Sequence, residues 1–499
     1  MTTDLRSPVI VGSALLNWRE GDAEPIDLMA RVSAAAFDDS ASTIASAVRS
    51  VNVVRGIWPY EDPGALVADR LGLGDVETGL TQLGGNEAFD MLNTNAQSIQ
   101  DGELDAVLIC AAETMRTRRR DKAAGRTSAY LDEADGAAPT RSYGSSNQLS
   151  DELEYYAGIT TAVNFYAMAE TVVRHRNAAT VDEHVANMSE LWARAAAVAA
   201  TNPHAWMTEF PSAAEIATVS SDNRLVVEPY RKLMTSNIDV DQAAAVVMCS
   251  LQTALDHGVP RDQIVFLRGG SGGYESWLTR CRWAFDESPA MRIAGQLAAE
   301  LAEIDLHDVT YLDLYSCFPS AVEVAQRELG IDQARPFTIT GGLTFAGGPF
   351  NSYCMQSLGR AIELMRETPG SSALLSGNGG FFTKHAFTVL SGEPPPSRFR
   401  YERPQADIDS HPTRPASNPS GPASTGTVEC YTVTYDRSGD PERGIIASLD
   451  SDGVRTLSNS TDAASIEALS ETDACGLLLS IDLPGSEAPG AMVPASRLA

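Results

Sequence analysis

The sequence predicts a layered α/β protein: two similar βαβ-rich halves, an insert that interrupts them, and a small all-β module behind them. Three observations carry this prediction. Strands and helices alternate in two separate stretches, several short apolar runs are continuous enough to be strands buried on both faces, and a change of composition near residue 393 is followed by period-two alternation.

In the first half, PVIVGS (8–13) is a short apolar strand and Pro25 to Phe37 has the spacing of an amphipathic helix. Trp58 to Leu71 predicts a second helix, with Gly72-Leu73-Gly74-Asp75 as its exit. The organising stretch is Gly79 to Met115. Gly84 and Gly85 open a helix whose Phe89, Leu92, Ala96 and Ile99 share one face, Asp101-Gly102 stops it, and Ala106 to Ala112 follows as a buried strand.

Residues 113–230 interrupt this rhythm with polar loops and long helices, among them helices over Asn164-Phe-Tyr-Ala-Met-Ala-Glu170 and Thr180 to Ala200. Arg116, Arg118, Arg119, Arg120, Lys122 and Arg126 form the dense basic cluster of the chain, either a phosphate grip or a solvated loop. Pro229 to Ser250 returns to the core with a strand over Ala243 to Cys249. The first half is thus 1–112 with 231–255, and the insert is 113–230.

The second half, 256–392, repeats the order. Ile264 to Leu267 is a strand, and Arg268-Gly-Gly-Ser-Gly-Gly273 is expected as a flexible turn, because it lacks the lysine of a phosphate loop. Ala290 to Ile304 is a helix, Val309 to Leu314 a strand, Ala321 to Leu329 a helix, and Ala373 to Leu375 with Phe387 to Leu390 a closing strand pair. Residues 393–426, rich in Pro and Ser, are expected as a linker. Beyond it, Thr427 to Tyr435 alternates with period two, a turn follows at 436–441, and Gly444 to Leu449 answers as a second strand. Residues 427–499 are expected as a barrel-like module, best matched by the OB fold.

With 499 residues the chain predicts about three units. A net charge of -29 disfavours nucleic-acid and anionic-membrane surfaces. Seven cysteines without CxxC spacing indicate reduced thiols, with no metal site. No apolar run is long enough for a transmembrane helix, MTTDLRSPVIVG lacks the pattern of a secretory leader, and Ser-Arg-Leu-Ala is not a peroxisomal address. The expected location is cytoplasmic.

The order of helix, SIQDGELDAVLICAAETM and strand resembles the thiolases, in which a helix, the words IxxGxxD, a hydrophobic strand and a GGxESM-like loop follow one another. NFYAMAE resembles their MGxTAE segment, VDEHVANMSELWARAAA the next helix, and Asp241-Gln242-Ala243-Ala244-Ala245 their SDGAAA segment. TGGLTFAGGPFNSYCMQSLGRAIELM resembles the region of their GHP loop, Leu374 to Gly380 their CxG loop, and Tyr315-Ser316-Cys317-Phe318 their NEAF or HDCF loop. The resemblance covers residues 8 to about 392. With the extra C-terminal module, the chain resembles the type 1 thiolase-like proteins of actinobacteria, relatives of the sterol-carrier-protein type thiolases.

The resemblance implies two homologous halves in five layers and an insert covering a pantetheine arm. It also implies a nucleophile position at Gly85, give or take one residue, and an imidazole position at Gly348, so neither group is present. Leu375 or Ser376 stands at the acid/base cysteine of the CxG loop, while Cys317 matches the cysteine of the HDCF type. Cys317 is therefore either a functional thiol or a packing cysteine, and His385, near the closing loop, is either its helper or a structural histidine.

The leading expectation is a thiolase-like protein that binds CoA or acyl-CoA without ordinary thiolase activity. CoA or acyl-CoA is the expected ligand, with no other cofactor, and Arg116, Arg118, Arg119, Arg120, Asn237 and Gly348 are the candidate contacts. The alternatives are an acetyl-CoA acetyltransferase-type acyltransferase using Cys317 with His385, and an interaction scaffold working through the C-terminal module. Thiolases dimerise through the strand before the nucleophile; here Leu80 to Leu83 runs straight into Gly84-Gly85, and the chain is expected as a monomer.

Overall fold

The computed structural model describes residues 4–159, 161–416, 424–482 and 495–498. The stretch 417–423 of the expected linker, and 483–494 with Ala499 of the expected module, lie outside the described residues.

The first half runs β1 (Pro8–Asn17), α1 (Pro25–Asp39), β2 (Ser50–Val53), α2 (Pro63–Leu71), β3 (Glu77–Thr81), α3 (Glu87–Asp101) and β4 (Ala106–Thr114). The insert follows with α4 (Met115–Ala123), β5 (Arg141–Tyr143), α5 (Glu152–Ala157), α6 (Ala162–Arg176), α7 (Val181–Ala199), α8 (Ala213–Ala217), β6 (Leu225–Val227) and β7 (Tyr230–Arg231). The chain re-enters the first half through β8 (Asp241–Ser250) and α9 (Leu251–Asp256). The second half is β9 (Val265–Tyr274), α10 (Pro289–Leu301), β10 (Tyr311–Asp313), α11 (Pro319–Leu329), α12 (Gly342–Phe345), α13 (Tyr353–Glu367), β11 (Ser372–Gly379) and β12 (Lys384–Ser391).

Both halves use one strand order. The order β2-β4-β8-β1 in the first is matched by β10-β11-β12-β9 in the second. In each, the first pair is parallel and the next two are antiparallel. The halves meet where β1 pairs with β9 at Val9 and Ile10, a short junction that links two sheet layers lying on either side of the central helices. Successive residues of β4 and β8 face opposite layers: Leu108 and Cys110 pack with α1, while Val107 and Ile109 pack with α3 and α13. On the far side, Leu374 of β11 and Val389 of β12 pack with Met291 and Ala298 of α10 and Ala321 of α11. The stack is therefore helix, sheet, helix, sheet, helix, with α3 and α13 in the middle.

Three local readings change. The helix expected from Trp58 begins only at Pro63, with Asp62 accepting from the Ala65 amide as its cap. The basic cluster begins on a helix, α4, instead of lying in a loop. The Arg268–Gly273 turn is part of strand β9. Its glycines serve close approach: a β carbon on Gly269 would sit 2.8 Å from the Ala302 nitrogen, and one on Gly270 would sit 2.5 Å from Asn93 Oδ1.

The stretch expected as a linker is fastened to the core through residue 416. Strand β13 (Tyr401–Glu402) pairs with β9, and α14 (Gln405–Asp409) buries Ile408 against it. Arg403 makes two bonds to the Asp90 carboxylate, 2.7 and 2.6 Å, and the Phe399 amide donates to Gln100 at 3.0 Å. Phe399, Tyr401 and Ile408, spaced among prolines and charges, supply the burial that composition averages hide.

The C-terminal module contains β14 (Ser424–Tyr435), β15 (Pro441–Leu449), β16 (Arg455–Ser460), α15 (Ala463–Glu471), β17 (Leu478–Asp482) and β18 (Ala495–Leu498). The pairings β14-β15-β16-β18-β17-β14 close a five-stranded barrel, with the helix between its third and fourth strands. That is the OB arrangement. The barrel sits on the insert: β14 bonds to β6 at Thr434 and Val227, and the Tyr431 amide donates to Thr171 of α6 at 3.2 Å.

Candidate functional site

The loop from β3 into α3 and the loop from α12 into α13 place Gly85 and Gly348 ahead of the two central helices. Gly85 has no left-handed backbone that would demand glycine; space demands it. A β carbon there would lie 2.5 Å from the Asn378 carbonyl oxygen and 2.6 Å from Tyr315 Cζ. The Tyr315 ring and the β11 backbone thus fill the volume in which a nucleophilic side chain would stand. The Gly85 carbonyl accepts from the Cys354 thiol at 2.9 Å.

Gly348 is less confined. A β carbon there would stand 3.3 Å from the Asn237 and Leu343 carbonyl oxygens, closer than ordinary van der Waals contact but short of a clash. Its amide donates to the Asn237 carbonyl at 2.8 Å, which locks this loop to the segment entering β8.

Between these glycines lies a packed aromatic cluster. Tyr166 of α6 stacks on Phe318 at 4.9 Å, and Phe318 stacks on Tyr230 at 5.5 Å. Asn378 Nδ2 donates to the Tyr166 hydroxyl at 2.8 Å, and Ser376 accepts the Tyr315 amide at 2.9 Å. Cys317 is buried among them, 7% exposed, with its carbonyl accepting from Ser236 Oγ at 3.0 Å. Burial pushes its thiol up to about 12, against a smaller opposing effect of the Tyr166 hydroxyl. Such a thiol is protonated near neutrality and is a poor nucleophile.

His385 does not help it. Its Nε2 lies 3.1 Å from Ser288 Oγ and 3.0 Å from the Phe382 carbonyl. Burial lowers its pKa to about 3, so the ring stays neutral. These partners belong to the start of α10 and the β11–β12 turn, and its register partners are Asn378 and Gly273.

The four arginines of α4 diverge. Arg118 donates to the Ile57 carbonyl, and Arg120 to the Gly21 carbonyl at 3.0 Å with Asp22 3.6 Å away. Arg119 faces Asp239 at 3.6 Å, and the Arg116 guanidinium lies 5.5 Å from the Trp206 ring centre. Of these, only Arg119 lines an open cleft of about 790 Å³. Trp206, Arg224, Lys232, Ser236, Asn237 and Thr344 share that wall. Its floor touches the packed cluster, since Ser236 bonds to Cys317 and Asn237 to Gly348.

Of the residues singled out in the sequence, Asn237 and Arg119 meet at the cleft and Cys317 lies in the cluster at its floor, while the positions of Tyr315 and Asn378 against Gly85 were not anticipated. Nor were Arg224 and Lys232, which β6, β7 and the turn after them bring to the cleft from a stretch with no dense charge. The one signal was position: Tyr315 precedes Cys317 in a loop already singled out.

A family model described as the thiolase-like protein type 1 additional C-terminal domain matches residues 404–485. An acetyl-CoA acetyltransferase of Methanocaldococcus jannaschii is 27% identical over 105 residues, 21% of this chain and 26% of that relative. The match spans about a quarter of the curated relative's length. Among solved structures, an Ltp2-ChsH2(DUF35) aldolase matches 77% of this chain and 98% of its own at a TM-score of 0.59 and 17% identity, a likeness of fold alone. A monomeric SCP2-thiolase-like protein type 1 from Mycobacterium smegmatis matches 100% of both chains, with a TM-score of 0.85 and 30% identity. The chain belongs to the SCP2-thiolase-like proteins of type 1.

Proposed function

We propose that this protein binds a CoA thioester in the cleft beside Asn237 and does not run thiolysis or Claisen condensation. The observation that carries this is the filled space at Gly85, where Tyr315 and the Asn378 carbonyl leave no room for an acyl-accepting side chain. Acyl transfer through an enzyme thiolate needs a nucleophile, a base beside it and donors for the oxyanion. Gly85 and Gly348 offer neither thiolate nor imidazole, and such groups act as a unit, so their joint loss removes most of the rate. The protonated, buried Cys317 argues against an acyltransferase built on that residue.

The cleft supports the binding half of the proposal. In a chain of net charge -29, Arg119, Arg224 and Lys232 outnumber Glu209 and Asp239 at one opening beside an indole ring, and Arg119 faces Asp239, so Arg224 and Lys232 are the cations left for a ligand. That suits a ligand with phosphates at one end and an uncharged arm reaching toward Ser236 and Asn237.

The test combines two measurements on the full chain. Acetoacetyl-CoA thiolysis is expected to match the no-protein background, while calorimetry registers CoA binding that weakens in Arg224→Glu. Turnover that responds to a cleft substitution, or one acetyl group on Cys317 by intact mass after incubation with acetyl-CoA, overturns the non-catalytic reading. Absence of CoA heat overturns the binding reading.

A further inference from the structure

The last turn of α6 and the loop between α15 and β17 bring together three donors of different chemistry. Ligand atoms of His175, Asp473 and Cys475 all lie within 4.8 Å of one another. His175 Nδ1 is 2.7 Å from Asp473 Oδ2, and the imidazole is 53% exposed, so the cluster is open to solvent on one side. Cys475 is buried on the other, its Sγ 3.3 Å from the Glu429 carbonyl.

The surrounding charge is also informative. The Arg174 guanidinium, 1% exposed, lies 3.4 Å from Asp473 Oδ1 and donates to the Tyr431 hydroxyl. Its Nε has no acceptor among the described residues. A buried guanidinium with an unpaired N–H favours negative charge nearby.

A thiolate, an imidazole nitrogen and a carboxylate oxygen form a donor set that suits zinc-class cations. Metal–ligand bonds of about 2.0–2.3 Å put neighbouring donors roughly 3.3–3.6 Å apart in a tetrahedral site. The half-exposed imidazole has the freedom to close that difference, and a fourth position is left for water.

We propose that His175, Asp473 and Cys475 bind one thiophilic divalent cation of the zinc class, tying helix α6 of the insert to the C-terminal barrel. Binding replaces the proton on the Cys475 sulfur with the metal and releases that proton to solvent. The competing account is an ion pair with a packing cysteine beside it.

Cobalt separates the two. The reduced, chelator-treated full chain is titrated with Co2+ and watched for the near-ultraviolet band of thiolate-to-cobalt charge transfer. One equivalent is expected to saturate the band, and zinc to bleach it. Cys475→Ser should lose the band, and His175→Gln, a change at an exposed position, should weaken it. Zinc should raise the melting temperature of the natural chain and not of Cys475→Ser. No band in the natural chain, or a full band in either variant, overturns the proposal.

Discussion

The Tyr315 phenol ring occupies the volume that any side chain on Gly85 would need. It is held there by a hydrogen bond from the Tyr315 backbone N–H to Ser376 Oγ and by an edge-on contact of its ring with Tyr353 at 5.5 Å. The glycine and the tyrosine therefore form one packing unit, and neither can be changed without the other.

Restoring a nucleophile at this position alone should fail. Gly85→Cys is expected to lower stability by roughly 1–3 kcal/mol, the usual cost of overpacking, and to leave acetoacetyl-CoA thiolysis at background. Adding Tyr315→Ala removes one clash, but the Asn378 carbonyl, 2.5 Å from the new β carbon, remains. The double variant should recover part of the melting temperature and none of the activity. Thiolysis by the single variant would contradict this packing argument.

Two of the groups shifted by burial contribute opposing pH slopes. Glu170, completely buried beside His184, Glu323, Tyr230 and Arg174, is raised to about 7 by desolvation. Its contribution is full below its unfolded value near 4.5 and is lost as pH rises through about 7. That shift is worth about 3 kcal/mol at most. His385 is displaced the other way, to about 3, so its contribution is full above 6.5 and is lost as pH falls toward 3. Denaturant melts across this range should show the alkaline loss flattened in Glu170→Gln and the acid loss flattened in His385→Gln. Unchanged slopes in both would mean that these groups do not titrate as described.

The outer side of β3 is already occupied, which leaves the three-residue β5 as the edge of the first-half sheet. On β3, Gly79, Leu80 and Thr81 register with Arg141, Ser142 and Tyr143 of β5, and the Gln82 amide continues the ladder to the Tyr143 carbonyl at 2.8 Å. A strand paired on both sides offers no free backbone to a second copy. Light scattering at micromolar concentration should give a monomer. Ser142→Pro, which strains the cover, should introduce concentration-dependent association; a dimer in the natural chain would contradict the argument.

How much of this was legible depended on whether local pattern and tertiary contact agreed. The layered order was readable because Ala106 to Ala112 and Ala243 to Cys249 are buried on both faces, which leaves an unbroken apolar run. The barrel was readable from the alternation over Thr427 to Tyr435. The glycines of β9 misled because a local rule reads them as a turn, when α3 and α10 need them for close approach. Phe399, Tyr401 and Ile408 were hidden by their polar neighbours. At the site, the glycines at 85 and 348 were visible in the sequence. What fills the space at Gly85 was not, because Tyr315, Asn378 and Gly85 come from two loops and a strand far apart in the sequence.

The same limit bears on the C-terminal barrel, which a tethered-module reading would make removable. Arg455, 0% exposed at its side chain, pairs with Glu429 inside the barrel and donates to the Arg280 carbonyl at 2.9 Å and the Trp283 carbonyl at 3.1 Å in the second half. One guanidinium thus satisfies a carboxylate of the barrel and backbone carbonyls of the second half. Arg455→Ala strands the Glu429 carboxylate and those carbonyls together, and breaking a buried pair from one side costs about 3–5 kcal/mol. The expected result is a lower melting temperature with one cooperative transition retained, because α6 and β6 still join the barrel to the insert. Truncation after residue 416 should expose α6 and the acceptors of Arg455 at once and give an aggregating product. A soluble truncated chain that melts like the full one would contradict this view of the barrel as part of the core.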